Sequence, residues 1–182
     1  MDTSLLDKAI HFAVDAHQGA ERRGKGFPYI LHPLEAAAIV ATMTADQRLL
    51  AAAVLHDVVE DTDATIEQIR RAFGDDIAQL VAEESHPKGL GWRESREHVL
   101  DHLRVASRES QIVALGDKLS NMRAIARDHR VLGSQLWQRF GSPNGAADYA
   151  WYYRSLAAAL VPLADTEAYQ EFSRLVREIF PD

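Results

Sequence analysis

A chain of 182 residues, 47% hydrophobic and 26% charged, has the size and apolar content of one soluble globular domain, and residues 1–182 are read as a single unit. A net charge of −7 excludes broad, unspecific nucleic-acid binding, and the absence of cysteine excludes disulfides and thiolate zinc sites. No apolar run approaches the roughly 20 residues of a membrane span, and the first residues carry no signal-peptide pattern, so a cytoplasmic location is expected.

In chain order, nearly every segment reads as helix. Ser4 and Asp7 suit the start of a first helix, on which Leu6, Ile10 and Ala13 recur at helical spacing until Gly19. The loop GAERRGKGFPYILHP follows, and Pro33 fits the first turn of a second helix. Thr44 with Gln47 makes a capping-box pattern for a third helix, and Thr65 with Gln68 repeats it for a fourth, which Gly74 stops. Further helices are expected at 76–85, 94–107, 110–128, 131–139, 146–161 and 166–179. Period-2 runs of β-branched residues are missing, as are internal repeats. The expectation is an all-α fold of about nine or ten helices.

The segment LLAAAVLHDVVEDT, residues 49–62, sets His56, Asp57, Glu60 and Asp61 among apolar residues. On one continuous helix these four groups share a side, and Val54, Leu55, Val58 and Val59 bury their surroundings. Buried charge is costly unless compensated, and a cation bound by imidazole and carboxylate compensates it. Further ligands of the same kind are available. His32 lies between the prolines of PYILHP, and Asp117 ends the apolar run IVALG. Asn121 is one turn beyond Asp117, and Gly116 permits close helix packing there. Arg22, Arg23 and Lys25 place positive charge in one loop, suited to a small anionic ligand.

The set His32, His56-Asp57 and Asp117 is the H…HD…D pattern of HD-type metal-dependent phosphohydrolases. The words FAVDAHQGAERRGKGFPYILHPLEAA, AAVLHDVVEDT and ALGDKLSNMRAI resemble the hydrolase domain of the RelA/SpoT family, in its stand-alone small alarmone hydrolase form. The resemblance runs from the first helix through WYYRSL at 151–156. It implies hydrolysis of (p)ppGpp to GDP or GTP and pyrophosphate. It also implies a metal held by His32, His56, Asp57 and Asp117, usually Mn²⁺, with Fe, Co or Zn suited to the same donors. Glu60 and Asp61 would orient or deprotonate water or handle the leaving-group proton, in either order.

By the same resemblance, Arg23, Lys25, Lys118 and Asn121 would contact the nucleotide. Where the family often has Arg-Lys in tandem, this chain reads Arg23-Gly24-Lys25. His17 matches a family position that supports the site, and Lys88 stands where the family has a lysine. Tyr149, Trp151, Tyr152 and Tyr153 are expected in the core, with room for one tyrosine beside the nucleotide. Two other functions compete: hydrolysis of another phosphorylated nucleotide, such as ppApp or a 3′-phosphorylated one, and a catalytically silent nucleotide-binding module. The expected partner is a small nucleotide, with no nucleic acid and no membrane. The sequence does not indicate an oligomeric state.

Overall fold

The computed structural model describes residues 2–22, 24–85 and 89–181. Among them ten α-helices follow in order: α1 (Ser4–Ala16), α2 (Leu31–Val40), α3 (Gln47–Leu55), α4 (Val58–Asp61), α5 (Ile66–Phe73), α6 (Asp75–Glu84), α7 (Trp92–Val105), α8 (Arg108–Leu132), α9 (Ala146–Ala159) and α10 (Glu167–Ile179). Two 3-10 helices, Gly133–Arg139 and Val161–Leu163, flank α9. A lone antiparallel bridge, Glu21 to Pro28, is the only β pairing among the described residues.

Two helices form the centre. α3 is buried from Leu49 through Leu55, and α8 from Ser110 through Ser120. The runs LLAAAVL and IVALG offer no polar face, so each helix must be covered all round. α1, α2 and α6 cover α3, while α2, α6 and α10 cover α8. The buried apolar side chains join into one cluster that reaches from Ala9 to Phe180.

Local chemistry sets the helix ends. The reciprocal Thr65–Gln68 capping box opens α5, and Gly74 at φ +89° closes it, as the sequence indicates. The Thr44–Gln47 box does not form. Asp46 caps α3 by accepting from the Arg48 N–H, and Thr44 Oγ1 accepts from the Asp46 N–H. Aspartate is the better cap, and the helix starts behind it. At α1, Thr3 holds the N-cap position without a side-chain capping bond, its hydroxyl donating to the Asp7 carboxylate, and Ser4 is the first helical residue. The segment expected as a helix at 131–139 divides instead, because α8 runs on to Leu132 before the 3-10 helix begins.

The stretch 49–62 is also divided. α3 stops at Leu55 and α4 begins at Val58. A continuing helix would offer the Ala53 carbonyl to the Asp57 N–H, but His56 Nδ1 takes that carbonyl at 2.7 Å. The break puts the His56–Asp57 pair at a corner, where both side chains turn toward α2 and α8.

α2 and α8 meet at Gly116. A Cβ at that position would lie 2.7 Å from Val40 Cγ2 and 2.8 Å from the Ala36 carbonyl oxygen, so only glycine fits. Gly116→Ala is expected to lower the unfolding free energy by about 1–3 kcal/mol through overpacking, read from urea midpoints. An unchanged midpoint would show that the two helices have room to separate.

Candidate functional site

Three helices deliver one cluster. His32 comes from the first turn of α2, Asp117 from the buried stretch of α8, and the His56–Asp57 pair from the corner after α3. His32, His56 and Asp117 are buried and Asp57 is half-buried. His32 Nε2 lies 3.0 Å from Asp117 Oδ1 and 3.4 Å from Asp57 Oδ2. His56 Nε2 lies 3.0 Å from Asp57 Oδ2 and 3.5 Å from Asp117 Oδ1.

The other ring nitrogens assign the tautomers. His56 Nδ1 donates to the Ala53 carbonyl. His32 Nδ1 is 2.8 Å from Ser120 Oγ, whose own hydroxyl donates to Glu35 Oε2 at 2.8 Å. Both neutral imidazoles therefore turn an Nε2 lone pair toward two carboxylates. The His56 Nε2 has no hydrogen-bond partner among the described residues. Lone pairs facing carboxylates repel unless positive charge lies between them. Ligand atoms of His32, His56 and Asp57 fall within 4.8 Å of one another, and Asp117 closes the group through both histidines. The residues fit a divalent cation with mixed nitrogen and oxygen donors.

Without a cation, protons serve the same need. Burial works against ionisation at each member, yet the neighbours prevail. His56 and His32 hold the Asp57 carboxyl well below the carboxylate range. Lys118, with His32 and His56, does the same for Asp117. Asp57 and Asp117 hold the His56 imidazolium well above its ordinary range. Tyr29, which the motif PYILHP contained but sequence reasoning gave no role, donates to Asp57 Oδ2 at 2.6 Å. Burial, then Asp57, pushes its phenol pKa upward, so it remains a donor. His17 is buried with its ring centroid 4.8 Å from that of Tyr29.

A cavity of about 910 Å³ opens over the cluster, at the upper end of the roughly 300–1,000 Å³ common for ligand pockets. Glu60 and Asp61 stand on its wall but are exposed, so of the four groups in the HD segment only His56 is fully buried. Desolvation in the wall, joined by the Asp57 and Glu60 charges and opposed by the Tyr29 hydroxyl, raises the Asp61 pKa. Lys118 lines the cavity while its ammonium lies 2.5 Å from Asp117 Oδ2. Asn121 Nδ2 donates to Asp117 Oδ1, and its own oxygen accepts from Arg22 at 2.5 Å. Lys25 lines the cavity and pairs with Asp128. Arg23 and Lys88 lie outside the described residues.

A further part of the lining was hidden from the sequence. Three tyrosines line it rather than one: Tyr149, Tyr152 and Tyr153. Arg139 joins them, as does Arg96, which lies over the rings of Tyr152 and Trp92 with centroid distances of 5.3 and 5.7 Å. On sequence grounds Arg96 is one more charged residue of an exposed helix face; only the packing of α7 against α9 turns it inward.

Comparison with known proteins places these features. A family model described as an HD domain matches residues 9–146. A Xenopus tropicalis protein named guanosine-3′,5′-bis(diphosphate) 3′-pyrophosphohydrolase MESH1 is 36% identical over 129 residues, 69% of this chain and 72% of that one. A Synechocystis protein named a probable guanosine-3′,5′-bis(diphosphate) 3′-pyrophosphohydrolase is 35% identical over 154 residues, 75% of this chain. The chain spans only 20% of that relative's length. A solved structure titled as a metazoan ortholog of SpoT that hydrolyzes ppGpp superposes with a TM-score of 0.81 at 24% identity, covering 98% of this chain and 97% of the other. At that identity the superposition speaks for the fold alone. No described helix is long and apolar enough to cross a membrane.

Charge repulsion within the cluster generates a thermodynamic prediction. Mn²⁺ or Zn²⁺ at 100 times its dissociation constant is expected to add about 2.7 kcal/mol to the unfolding free energy. The same concentration is expected to add markedly less to Asp57→Asn. A wild-type protein whose melting is indifferent to either cation would leave the cluster as a proton-bridged network.

Proposed function

Because the chain belongs to the HD-domain family, in its RelA/SpoT-type hydrolase branch, we propose that it is a metal-dependent 3′-pyrophosphohydrolase of guanosine alarmones. It converts ppGpp or pppGpp to GDP or GTP and pyrophosphate, as one domain. The observation that carries this reading is the convergence of two Nε2 lone pairs and two carboxylates at the floor of a cavity large enough for a nucleotide.

His32, His56, Asp57 and Asp117 hold the cation, with Mn²⁺ as the proposed occupant. The bound cation would supply Lewis acidity toward the phosphorus centre and toward water. The Tyr29 hydroxyl fixes the Asp57 carboxylate, and Asn121 with Lys118 fixes that of Asp117, so both present a set oxygen to the floor. Glu60 and Asp61, on the adjoining wall, orient the attacking water and take its proton. Water adds to the phosphorus joined to the 3′ oxygen, the bond from phosphorus to that oxygen breaks, and a proton is delivered to the 3′ oxygen. Arg22, Lys25, Arg96 and Arg139 bring positive charge to the cavity lining, so the phosphates of the nucleotide meet cations. The aromatic wall provides stacking surface for the base.

The test is pyrophosphate release from ppGpp, pppGpp, ppApp and 3′-phosphorylated nucleotides, with Mn²⁺ and with chelator. Manganese-dependent release from the guanosine alarmones is expected. Release from another nucleotide alone would discard the alarmone, and no release with metal bound would favour a nucleotide-binding module. Glu60→Gln is expected to retain the metal and lose about 10²–10⁴-fold in rate, the usual worth of a positioned acid or base. Full activity in that variant would remove Glu60 from the reaction.

A further inference from the structure

The two histidines of the cluster are oriented by different means. His56 Nδ1 donates to a backbone carbonyl three residues earlier, and no side-chain substitution can remove that acceptor. His32 Nδ1 instead meets the hydroxyl of Ser120, a side chain on α8 that is 1% exposed. Beyond Ser120 stands Glu35, one turn along α2 from His32. Beyond Glu35 stand two arginines of α8. Arg123 Nη1 is 3.4 Å from Glu35 Oε1 and Arg127 Nη1 is 3.9 Å from it. Arg123 is held in turn by a bidentate pair with Glu171 on α10, at 2.7 and 2.6 Å.

A serine hydroxyl has one proton, so it can serve only one neighbour as donor. Glu35 accepts only, and it claims that proton through Oε2. The hydroxyl therefore offers His32 a lone pair, which demands that His32 carry its proton on Nδ1. Nε2 then carries the free lone pair, facing Asp57 and Asp117. We infer that Ser120 and Glu35 are positioning residues that set the His32 tautomer, and through it the affinity of the site for a divalent cation. The inference rests on the reading of His32 as a metal ligand. Partners of this kind behind a ligating histidine commonly govern metal affinity.

The geometry of Glu35 makes the relay reversible in one specific variant. Both arginines approach Oε1, and Ser120 contacts Oε2. In Glu35→Gln the amide oxygen belongs beside the arginines, which leaves the NH₂ group against Ser120. That group donates to one lone pair of the hydroxyl, and the proton that Glu35 held is released to the other neighbour within reach, His32 Nδ1. His32 is then biased toward the Nε2–H tautomer, which offers no lone pair on the nitrogen that faces the carboxylates. Ser120→Ala, by contrast, removes the preference without inverting it.

The experiment uses Zn²⁺ as a diamagnetic probe of the full chain. Affinity is measured by competition with a fluorescent chelator, and the histidine ring nitrogens are read by long-range ¹H–¹⁵N correlation. Zinc-loaded wild type is expected to show a slowly exchanging Nδ1–H on His32 and a metal-shifted Nε2. Ser120→Ala is expected to bind zinc about 10–100-fold more weakly. Glu35→Gln, which keeps every atom position filled, is expected to lose at least as much. A packing role would give the reverse order, since only the alanine variant leaves space behind. Wild-type zinc affinity in Glu35→Gln, with an unaltered His32 Nδ1–H signal, overturns the relay. A wild-type chain that takes up no zinc overturns the metal-centre reading instead, so the two failures are distinct.

Discussion

The crossing of α2 over α8 at Gly116 is the constraint from which the site follows. With no side chain at that point, the Ala36 carbonyl and Val40 come within contact of the α8 backbone. His32 sits one turn before Ala36, and Asp117 and Ser120 lie just beyond Gly116. One close approach therefore fixes two distances together, His32 to Asp117 and His32 to Ser120. α3 packs on both of these helices and brings the His56–Asp57 corner to the same point. Because interiors are close-packed, a displacement at the crossing cannot be absorbed locally and would reach every polar contact of the floor.

The floor itself is poorly suited to stabilising the fold. Taking carboxylates and imidazoles out of water costs several kcal/mol per ion before any attraction is counted, so a cluster like this is weak evidence for stability and better evidence for function. The exposed pairs elsewhere, such as Arg70 with Glu67 or Arg93 with Glu97, follow the opposite logic and contribute little either way. The cavity lining mixes carboxylates with cations and aromatic rings: Asp57 and Asp117 lie at the floor, and Arg22, Lys25, Arg96, Arg139 and three tyrosines of α9 stand around it together with Glu60 and Asp61. A ligand that is anionic, carries a flat ring and needs a cation for its chemistry matches that distribution.

What the sequence made legible was local. The two apolar runs that end in acids became the two central buried helices, Gly116 took the packing role its place suggested, and the Thr65–Gln68 cap formed as written. The four residues of the H…HD…D pattern lie together in one cluster. Misreadings arose where two local signals competed. Asp46 outcompeted Thr44 as a cap, and the His56 ring took the carbonyl that would have continued α3. What stayed invisible was long-range. Ser120 with Glu35, Arg22 with Asn121 and Lys25 with Asp128 are separated by 85, 99 and 103 residues. No periodicity or spacing connects such pairs, because only the packing of helices brings them together.

The contrast between the two histidines carries this distinction into the chemistry. His56 is set by its own helix, through a contact three residues long, and inherits the rigidity of the most buried segment of the chain. His32 is set by a path through Ser120, Glu35, Arg123 and Glu171, which crosses from α2 to α8 to α10. One histidine therefore answers only to local backbone, while the other answers to the docking of α10. Arg123 holds the Glu171 carboxyl below its usual range, so that docking is itself an ionic contact at neutral pH. A helix that lines none of the cavity thereby bears, through Glu171, Arg123, Glu35 and Ser120, on the nitrogen that faces it.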